Sequence, residues 1–175
     1  MVKHKIKVID NFISEDDIEL ALGLFKTEPS ESFKNIPWVN ILSPSDKNYR
    51  FIKPYSDKSI ALHVEEHNLK IPIYTYEGFL TVWDEGYGTG VHKDNHKGAE
   101  MVQLTTVIYL NDNYEGGEIY FPEFDVSIKP KRGQAIIFPA FTATNTYEHG
   151  VTEIKGSKRY TLALWHTALK EYADP

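Results

Sequence analysis

The 175-residue sequence contains no cysteine. This absence excludes disulfide bonds, thiolate metal sites and cysteine nucleophiles, so a metal site must be built from histidine, aspartate and glutamate. The sequence also lacks an excess of positive charge, because 25 acidic residues outnumber 19 basic ones and leave a net charge of −6. Neither nucleic acid nor an anionic membrane is therefore expected as a partner.

Long apolar runs are missing as well. No stretch approaches the roughly 18 apolar residues of a membrane span, and residues 1–5 lack the apolar segment of a signal peptide. We therefore expect a soluble protein in the cytoplasm or elsewhere inside the cell. With 41% hydrophobic residues, the chain is long enough for one sizeable core and too short to favour two. We predict a single domain over residues 1–175.

The first 30 residues are predicted to form a strand and a helix. Residues 5–10 alternate charged and apolar side chains, which favours a half-buried strand with Ile6 and Val8 on one face. Ser14 can cap the following helix, with Asp17 three residues on. The apolar stripe of that helix consists of Ile18, Ala21, Leu22 and Phe25.

The remaining chain changes character at Pro72. Residues 31–56 are rich in Ser, Pro, Asn and Asp, which indicates a long connection with one short strand, and a second helix is predicted over residues 57–69. Aromatic and β-branched runs follow, so residues 71–170 are expected to form strands that close into a barrel or stack as a sandwich in an α+β protein. The predicted strands cover residues 73–83, 102–110, 118–121, 126–129, 134–138 and 159–167.

A glycine-rich segment, residues 86–94, carries a histidine and an aspartate two positions apart, His92 and Asp94. In an extended chain, residues i and i+2 point to the same face, so an imidazole and a carboxylate can converge on one ion. A third, distant histidine would complete two histidines and one carboxylate, which leaves positions open as non-haem iron(II) oxygenases require. His149 is the best candidate for that third ligand.

The histidines and the His-x-Asp triplet can also be explained without a metal site. A His-x-Asp triplet is common by chance, and a single histidine is more often a surface or core residue than a ligand. His96 is expected to be solvated or to line the mouth of the site, and His166 to be structural. His63 and His67 are expected on a solvated or packed helix face.

The strand that follows His149 strengthens the metal-site interpretation. Arg159 lies ten residues after the proposed ligand, inside an alternating strand. An arginine directed into a barrel is costly unless it meets an anion, and its planar fork matches a carboxylate in two-point geometry. Thr161 shares that face of the strand and can add a hydroxyl donor. A bound dicarboxylic acid would explain both side chains.

With these residues in place, the sequence resembles the iron(II)- and 2-oxoglutarate-dependent dioxygenases, and within them the prolyl 4-hydroxylase-like branch. Three further segments extend the resemblance over most of the chain. They are residues 8–14 (VIDNFIS), residues 109–112 with 116–118 (YLND and GGE), and residues 129–139 (KPKRGQAIIFP). The resemblance implies a double-stranded β-helix (jelly-roll) barrel over residues 71–170, with the helices of residues 1–70 packed on one sheet.

The resemblance also implies an activity. The chain would bind iron(II) through His92, Asp94 and His149, pair Arg159 with the far carboxylate of 2-oxoglutarate, and use dioxygen to hydroxylate a C–H bond with release of succinate and carbon dioxide. Ascorbate is expected as reductant, and a prolyl residue of a peptide or protein is the expected substrate, hydroxylated at position 4. The alternatives are a hydroxylase of a free amino acid or another small molecule, and a catalytically silent barrel that acts as a binding module.

The sequence departs from the family at Trp83, where many relatives carry a tyrosine that touches 2-oxoglutarate. Tyr109 or Thr106 can supply the missing contact, although a core position is the simpler interpretation of Tyr109. Trp83, Tyr74 and Tyr76 are expected to line a groove for an extended substrate, together with residues 31–56. The oligomeric state is left open.

Overall fold

The computed structural model describes residues 4–27, 30–33, 36–41 and 49–173, with side chains described for residues 4–25 and 50–173. Within these ranges, two sheets face each other and two helices cover the outer side of the larger sheet. The helices are α1 (Glu15–Thr27) and α2 (Tyr49–His67), and the strands are β1 (Lys7–Ile9), β2 (Ser30–Phe33), β3 (Ile36–Ile41), β4 (Tyr74–Trp83), β5 (Thr89–His92), β6 (Leu104–Tyr109), β7 (Ile119–Phe121), β8 (Val126–Ile128), β9 (Ala135–Pro139), β10 (His149–Val151) and β11 (Arg159–Thr167).

The strands of the barrel are divided between the two sheets. The larger sheet has the order β1-β9-β6-β11-β4-β3-β2, and the smaller one has the order β5-β10-β7-β8. All their pairings are antiparallel. From β4 to β11 the chain passes back and forth between the sheets, with only β7 and β8 consecutive in one sheet. The predicted α+β barrel with helices on one sheet is confirmed.

Helix α1 begins where the sequence predicts. The Ser14 hydroxyl accepts a hydrogen bond from the backbone N–H of Asp17 at 3.2 Å, as an N-cap does. Acidic side chains in the first turn complement the positive end of the helix dipole. Ile18 and Ala21 are fully buried against the larger sheet.

Helix α2 begins at Tyr49, eight residues before the predicted start at residue 57. Pro54 lies inside the helix, where it lacks the N–H for one intrahelical bond. Ile52 is fully buried in the core under the larger sheet, and this packing outweighs the lost bond. Gly78 of β4 allows the close approach, because a Cβ atom at that position would lie 2.9 Å from the Ile52 side chain.

Strand β1 keeps the predicted alternation, but one of its apolar residues is exposed. Ile6 is buried between the sheets, but Val8 is 41% exposed. The strand covers only Lys7–Ile9 and pairs with β9 alone, so it is an edge strand. Lys7 pairs with Glu66 of α2 and Ile9 packs against the core under the helices, so Val8 lies on the opposite face together with Ile6, as predicted. Val8 is exposed on that face at the end of the sheet.

The described residues form three more strands than the sequence predicts. Both β2 and β3 lie in the segment that was predicted to hold one short strand. Strands β5 and β10 are short and contain Gly90 and Gly150, which weaken the strand signal. Gly150 serves packing, since a Cβ atom there would lie 2.5 Å from the hydroxyl of Tyr120 on β7.

The described residues form two large buried apolar clusters and a smaller one around Val102. One large cluster lies between the helices and the larger sheet and includes Ile18, Ile52, Leu80 and Leu162. The other large cluster lies between the two sheets and includes Ile6, Tyr109, Ile119, Phe121, Ile136, Phe138 and Tyr147. In the described part of the chain, no helix is long and apolar enough to cross a membrane.

Candidate metal centre and its cavity

Two neighbouring strands of the smaller sheet bring His92 and His149 together. Strands β5 and β10 are antiparallel partners, and His92 stands directly opposite His149. Asp94 follows β5 by two residues and is buried. The ligand atoms of the three side chains lie within 4.8 Å of one another. The Nε2 atoms of His92 and His149 are 3.9 Å and 3.7 Å from the same Asp94 oxygen, Oδ1.

Backbone carbonyls orient both imidazole rings. Nδ1 of His92 donates to the carbonyl of Gly90 at 2.9 Å, and Nδ1 of His149 donates to the carbonyl of Tyr147 at 3.1 Å. A carbonyl oxygen can only accept, so Nδ1 carries the proton in each ring and Nε2 presents a lone pair. Burial lowers the pKa of His149 below its usual value, which favours the neutral ring that a metal ion binds.

The Asp94 carboxylate is oriented by Thr105 of β6. The Thr105 hydroxyl donates to Oδ2 of Asp94 at 2.6 Å, so Oδ1 is left to face the two histidines. Thr105 is itself buried. The sequence interpretation did not identify this residue, although its inward position in the strand predicted over residues 102–110 could have indicated it.

The segment before His149 is held by Glu123. Its carboxylate accepts the backbone N–H groups of Thr146 at 3.2 Å and Tyr147 at 3.3 Å. Tyr147 has a φ of 47°, in the left-handed region that non-glycine residues seldom adopt. The carbonyl of Tyr147 meets the His149 ring in this conformation.

A cavity of about 250 Å³ opens beside the three candidate ligands. His92 is exposed at its edge, whereas Asp94 and His149 are buried. His96 lines the cavity and is exposed, as the sequence predicted for it. The remaining lining residues are Phe79, Thr81, Trp83, Thr89, Thr105, Val107, Ile119, Val151, Arg159, Thr161, Ala163 and Trp165.

Arg159 lines the same cavity and is only 4% exposed. Its guanidinium lies over the ring of Tyr109, 5.1 Å from the ring centre. Within the described residues, Arg159 forms no ion pair and its Nε has no acceptor. The buried hydroxyls of Tyr109 and Tyr114 lie close to Arg159, and neither forms a hydrogen bond of normal geometry within the described residues. This part of the site has several buried donors and no anionic acceptor, so it suits an anion.

Both tyrosines remain protonated at neutral pH. Burial raises the pKa of Tyr114 to about 12, and the charge of Arg159 opposes that shift. Burial also raises the pKa of Tyr109. Tyr109 is fully buried between the two sheets, and its hydroxyl lies close to Arg159. Gly117 makes room for Tyr114, because a Cβ atom at Gly117 would lie 2.6 Å from the Tyr114 ring.

Other predicted site residues lie elsewhere. The prediction that Thr106 can contact the co-substrate is wrong, because Thr106 faces α2 on the outer side of the sheet. Its hydroxyl hydrogen-bonds Ser59 and His63 there. Among the three proposed groove residues, Trp83 lines the cavity, whereas Tyr74 and Tyr76 are not among its lining residues. Tyr76 packs in a small cluster beside Trp165. The side chains of residues 31–49, also predicted for the groove, lie outside the described residues.

Three further histidines, His63, His67 and His166, form a buried polar cluster between α2 and the larger sheet. His63 and His166 are fully buried, and His67 is nearly so. His63 hydrogen-bonds His67 at 3.2 Å, and His166 hydrogen-bonds Ser59 at 2.8 Å. These contacts match the packed and structural roles that the sequence predicted for them.

Comparison with known proteins gives a family match. Residues 78–167 match the family model of the 2OG-Fe(II) oxygenase superfamily. The chain is 40% identical over 68 residues to prolyl 3-hydroxylase 2 of Homo sapiens. The matched segment covers 36% of this chain and 9% of that protein. The chain is 30% identical over 73 residues to prolyl 3-hydroxylase 3 of Mus musculus, and this match covers 39% of this chain and 10% of that protein. The matched segment thus spans about a tenth of the length of these curated relatives.

Solved structures share the fold over nearly the whole chain. A viral collagen prolyl hydroxylase of Paramecium Bursaria Chlorella virus-1, in complex with 2OG, has a TM-score of 0.77 at 19% identity and covers 97% of this chain and 98% of its own. A Pseudomonas putida prolyl-4-hydroxylase has a TM-score of 0.71 at 18% identity, with 94% and 93% covered. A Trichoplax adhaerens prolyl hydroxylase, in complex with a peptide fragment of the hypoxia inducible factor oxygen degradation domain, has a TM-score of 0.72 at 18% identity, with 97% and 86% covered.

Proposed function

Because the chain belongs to the 2OG-Fe(II) oxygenase superfamily, we propose that it is a dioxygenase that hydroxylates a prolyl residue of a peptide or protein with iron(II), 2-oxoglutarate and dioxygen. The observation that carries this proposal is the presence, in one cavity, of a two-histidine, one-carboxylate cluster and a buried arginine that has no anionic partner among the described residues. The first feature suits the metal and the second suits the co-substrate.

We assign His92, Asp94 and His149 as the iron ligands. Two imidazoles and one carboxylate form a donor set that suits iron(II), and the set leaves coordination positions open to the cavity. The hydrogen bonds to Nδ1 of each ring and to Oδ2 of Asp94 turn the remaining ligand atoms toward one point. When bound, iron and 2-oxoglutarate supply the oxidising chemistry, in which 2-oxoglutarate yields succinate and carbon dioxide.

We assign Arg159 as the partner of the far carboxylate of 2-oxoglutarate. Its planar fork can bind a carboxylate through two parallel hydrogen bonds, and its burial strengthens that pairing. Thr161 lies two residues on along β11, on the same inward face, and is assigned a hydroxyl contact to the co-substrate. Tyr109 is assigned a third contact, since its hydroxyl is buried near Arg159 and forms no hydrogen bond of normal geometry within the described residues.

The prolyl substrate rests on the relatives and on the aromatic walls of the cavity. The curated relatives with similar sequence are prolyl 3-hydroxylases, and two of the structures with similar fold are a viral collagen prolyl hydroxylase and a prolyl-4-hydroxylase. Phe79 and Trp165 pack edge to face at 4.7 Å on the cavity wall, where an apolar ring can lie. We retain position 4 of the prolyl ring as the expected site, with position 3 as the alternative that the curated relatives favour.

The experiment is succinate formation from 2-oxoglutarate by the purified protein with iron(II) and ascorbate under air. Proline-containing peptides and free proline are compared as substrates, and mass spectrometry with NMR of the product identifies the hydroxylated carbon. We expect turnover with peptides, a requirement for ascorbate, and no stimulation by free proline. Stimulation by free proline alone would replace the peptide substrate with a small molecule.

Variants test the residue assignments in the same assay. His92→Ala is expected to abolish succinate formation, and Arg159→Ala is expected to need far more 2-oxoglutarate. Arg132→Ala is the matched control, because Arg132 pairs with Glu15 and Glu19 of α1 and is not a cavity residue. A wild-type protein that forms no succinate with any peptide and binds neither iron nor 2-oxoglutarate would be a binding module instead.

A further inference from the structure

A chain of polar side chains stands beside Arg159 on the inward face of two paired strands. Arg159 lies opposite Trp83, and Thr161 lies opposite Thr81, across the pairing of β11 with β4. All four side chains line the cavity. The two threonines are 2% and 4% exposed. Their hydrogen bonds must therefore be made with protein groups or with a ligand rather than with bulk water.

The contacts among these side chains leave one hydroxyl proton unused. Nε1 of Trp83 donates to the Thr81 hydroxyl at 3.3 Å, and an indole N–H can only donate. The Thr81 and Thr161 hydroxyl oxygens are 2.5 Å apart, so one of them donates to the other. Two hydroxyls have two protons and only one is used between them, and neither hydroxyl makes a further hydrogen bond within the described residues. One buried donor is therefore left for a ligand.

The indole decides which hydroxyl keeps the free proton. A hydroxyl that accepts a hydrogen bond becomes a better donor, so a chain in which each group accepts once and donates once is favoured. With Trp83 as the first donor, that order runs from Trp83 to Thr81 and from Thr81 to Thr161. In the reverse order, Thr81 would accept twice and Thr161 would have no proton to offer. The favoured order leaves the proton of Thr161 free, two residues along the strand from Arg159.

We infer that Trp83 and Thr81 are positioning residues that direct the Thr161 hydroxyl, as a donor, to the same carboxylate that Arg159 binds. This inference rests on the proposed function, because it takes the far carboxylate of 2-oxoglutarate as the acceptor. Trp83 thus contributes to binding of this carboxylate indirectly, through two hydroxyls, at the position where many relatives have a tyrosine. This relay, the chain of hydrogen bonds from Trp83 through Thr81 to Thr161, also makes the site selective for a 2-oxo acid that carries a second carboxylate.

The test compares two ligands that differ only at that carboxylate. Affinities for 2-oxoglutarate and for 2-oxopentanoate are measured by titration calorimetry with the full chain and Mn(II), without oxygen. Both ligands have the same keto acid end and chain length. Thr161→Val is expected to weaken 2-oxoglutarate binding on the order of 10- to 100-fold, the size of a hydrogen bond to a charged group, and to leave 2-oxopentanoate binding unchanged. Thr161→Ser is expected to restore binding.

The positioning residues are tested by double-mutant cycles. Thr81→Val and Trp83→Phe are expected to weaken 2-oxoglutarate binding less than Thr161→Val does, and to add little in the Thr161→Val background. Thr106→Val is the control, since it also removes a buried strand hydroxyl but one that faces α2. It is expected to change stability and not affinity.

The outcomes separate this inference from the proposed function. If wild type binds 2-oxoglutarate and Thr161→Val binds it equally well, or loses both ligands equally, the relay is wrong while the proposed function stands. If Trp83→Phe leaves the affinity of an otherwise wild-type chain unchanged, the directing role of the indole is wrong. If wild type does not bind 2-oxoglutarate at all, the proposed function fails and the relay fails with it.

Discussion

At the scale of single side chains, Thr105 orients one of the candidate metal ligands, Asp94. Its hydroxyl holds one oxygen of Asp94 and thereby turns the other toward the histidines. Thr105→Val keeps the shape and removes the donor, so the carboxylate is free to rotate. We expect metal affinity to fall on the order of 10- to 100-fold, as is usual when a group that orients a ligand is removed. Titration with Mn(II) measures the change.

Thr105→Ser is the control for this prediction. Serine keeps the hydroxyl and loses one methyl group, so its metal affinity should stay close to that of the wild type. Equal affinity in Thr105→Val and wild type would show that the Asp94 orientation does not depend on the Thr105 hydroxyl.

Tyr109 illustrates a conflict between binding and stability at one residue. Its hydroxyl is buried without a hydrogen bond of normal geometry within the described residues, which is a cost that the unfolded chain does not have. We expect Tyr109→Phe to raise the free energy of unfolding of the ligand-free protein by about 1 kcal/mol. The same change is expected to weaken 2-oxoglutarate binding, since the anion loses a donor.

Denaturant unfolding and titration calorimetry check the two effects separately. Tyr160→Phe serves as a comparison, because Tyr160 packs against Phe25 of α1 and is not a cavity residue. A Tyr109→Phe protein that is less stable than wild type in the absence of ligand would contradict the prediction.

At the scale of one element, the docking of α2 depends on histidines that must stay neutral. Burial lowers the pKa of His63 well below its usual value, that of His67 to about 4 and that of His166 to about 3. Nearby His166 and His67 lower the pKa of His63 further, and Lys5 does the same for His67. In the unfolded chain each ring has a pKa of about 6.5.

The sign of the pH dependence follows from these shifts. Between about pH 6.5 and the lowered pKa values, the unfolded chain binds more protons than the folded one, so stability falls as the pH falls. The contribution of the neutral rings to the free energy of unfolding is complete above about pH 6.5. It is lost progressively below that pH, by at most about 1.4 kcal/mol per pH unit for each ring. Unfolding free energies measured from pH 8 to pH 4.5 test this, and His166→Gln should show a shallower slope.

A slope unchanged by His166→Gln would contradict the assignment of His166 to this dependence. Glutamine can still hydrogen-bond the Ser59 hydroxyl, which His166 does at 2.8 Å, but it does not titrate. The variant therefore separates protonation from loss of the contact.

The elements that could be predicted from the sequence are those with a local signal. Helix α1 has a cap at Ser14 and an apolar stripe, and β4 and β11 are long runs of β-branched and aromatic residues. The start of α2 was missed because Pro54 is a local signal against a helix, whereas the burial of Ile52 is a tertiary effect. Strand β5 was missed because it is held by its partner strand rather than by its own sequence.

The residues of the candidate site likewise separate into those with a local signal in the sequence and those without one. His92, Asp94, His149 and Arg159 could be found because their residue types and spacing are unusual together. Thr105 has only a weak signal, which is its inward position in the strand predicted over residues 102–110. Thr81 and Tyr114 have none, since each becomes informative only when strand pairing or a tight glycine turn sets it beside a residue far away in the sequence.

For the whole molecule, the N-terminal residues are part of the same core as the barrel. Strand β1 pairs with β9, and α1 and α2 cover the face of the larger sheet that carries Leu80 and Leu162. The single domain over residues 1–175 stays a prediction that truncation tests. We expect residues 71–175 alone not to fold, because that apolar face would be open to water.

Circular dichroism and denaturant unfolding of the two chains measure the outcome. The full chain should unfold in one cooperative transition, whereas the fragment should show no cooperative transition. A fragment that unfolds cooperatively would show that residues 71–175 form a domain of their own.

Strand β6 carries adjacent threonines with separate tasks. Thr105 points inward to Asp94, and Thr106 points outward to Ser59 and His63 of α2. Since side chains alternate with a period of two, deletion of one residue would exchange the two faces and disable the metal centre and the helix contact together. Substitutions can change either face alone. The number of residues in this strand can therefore not change without loss of both contacts. The sequence of the strand can diverge only by substitution.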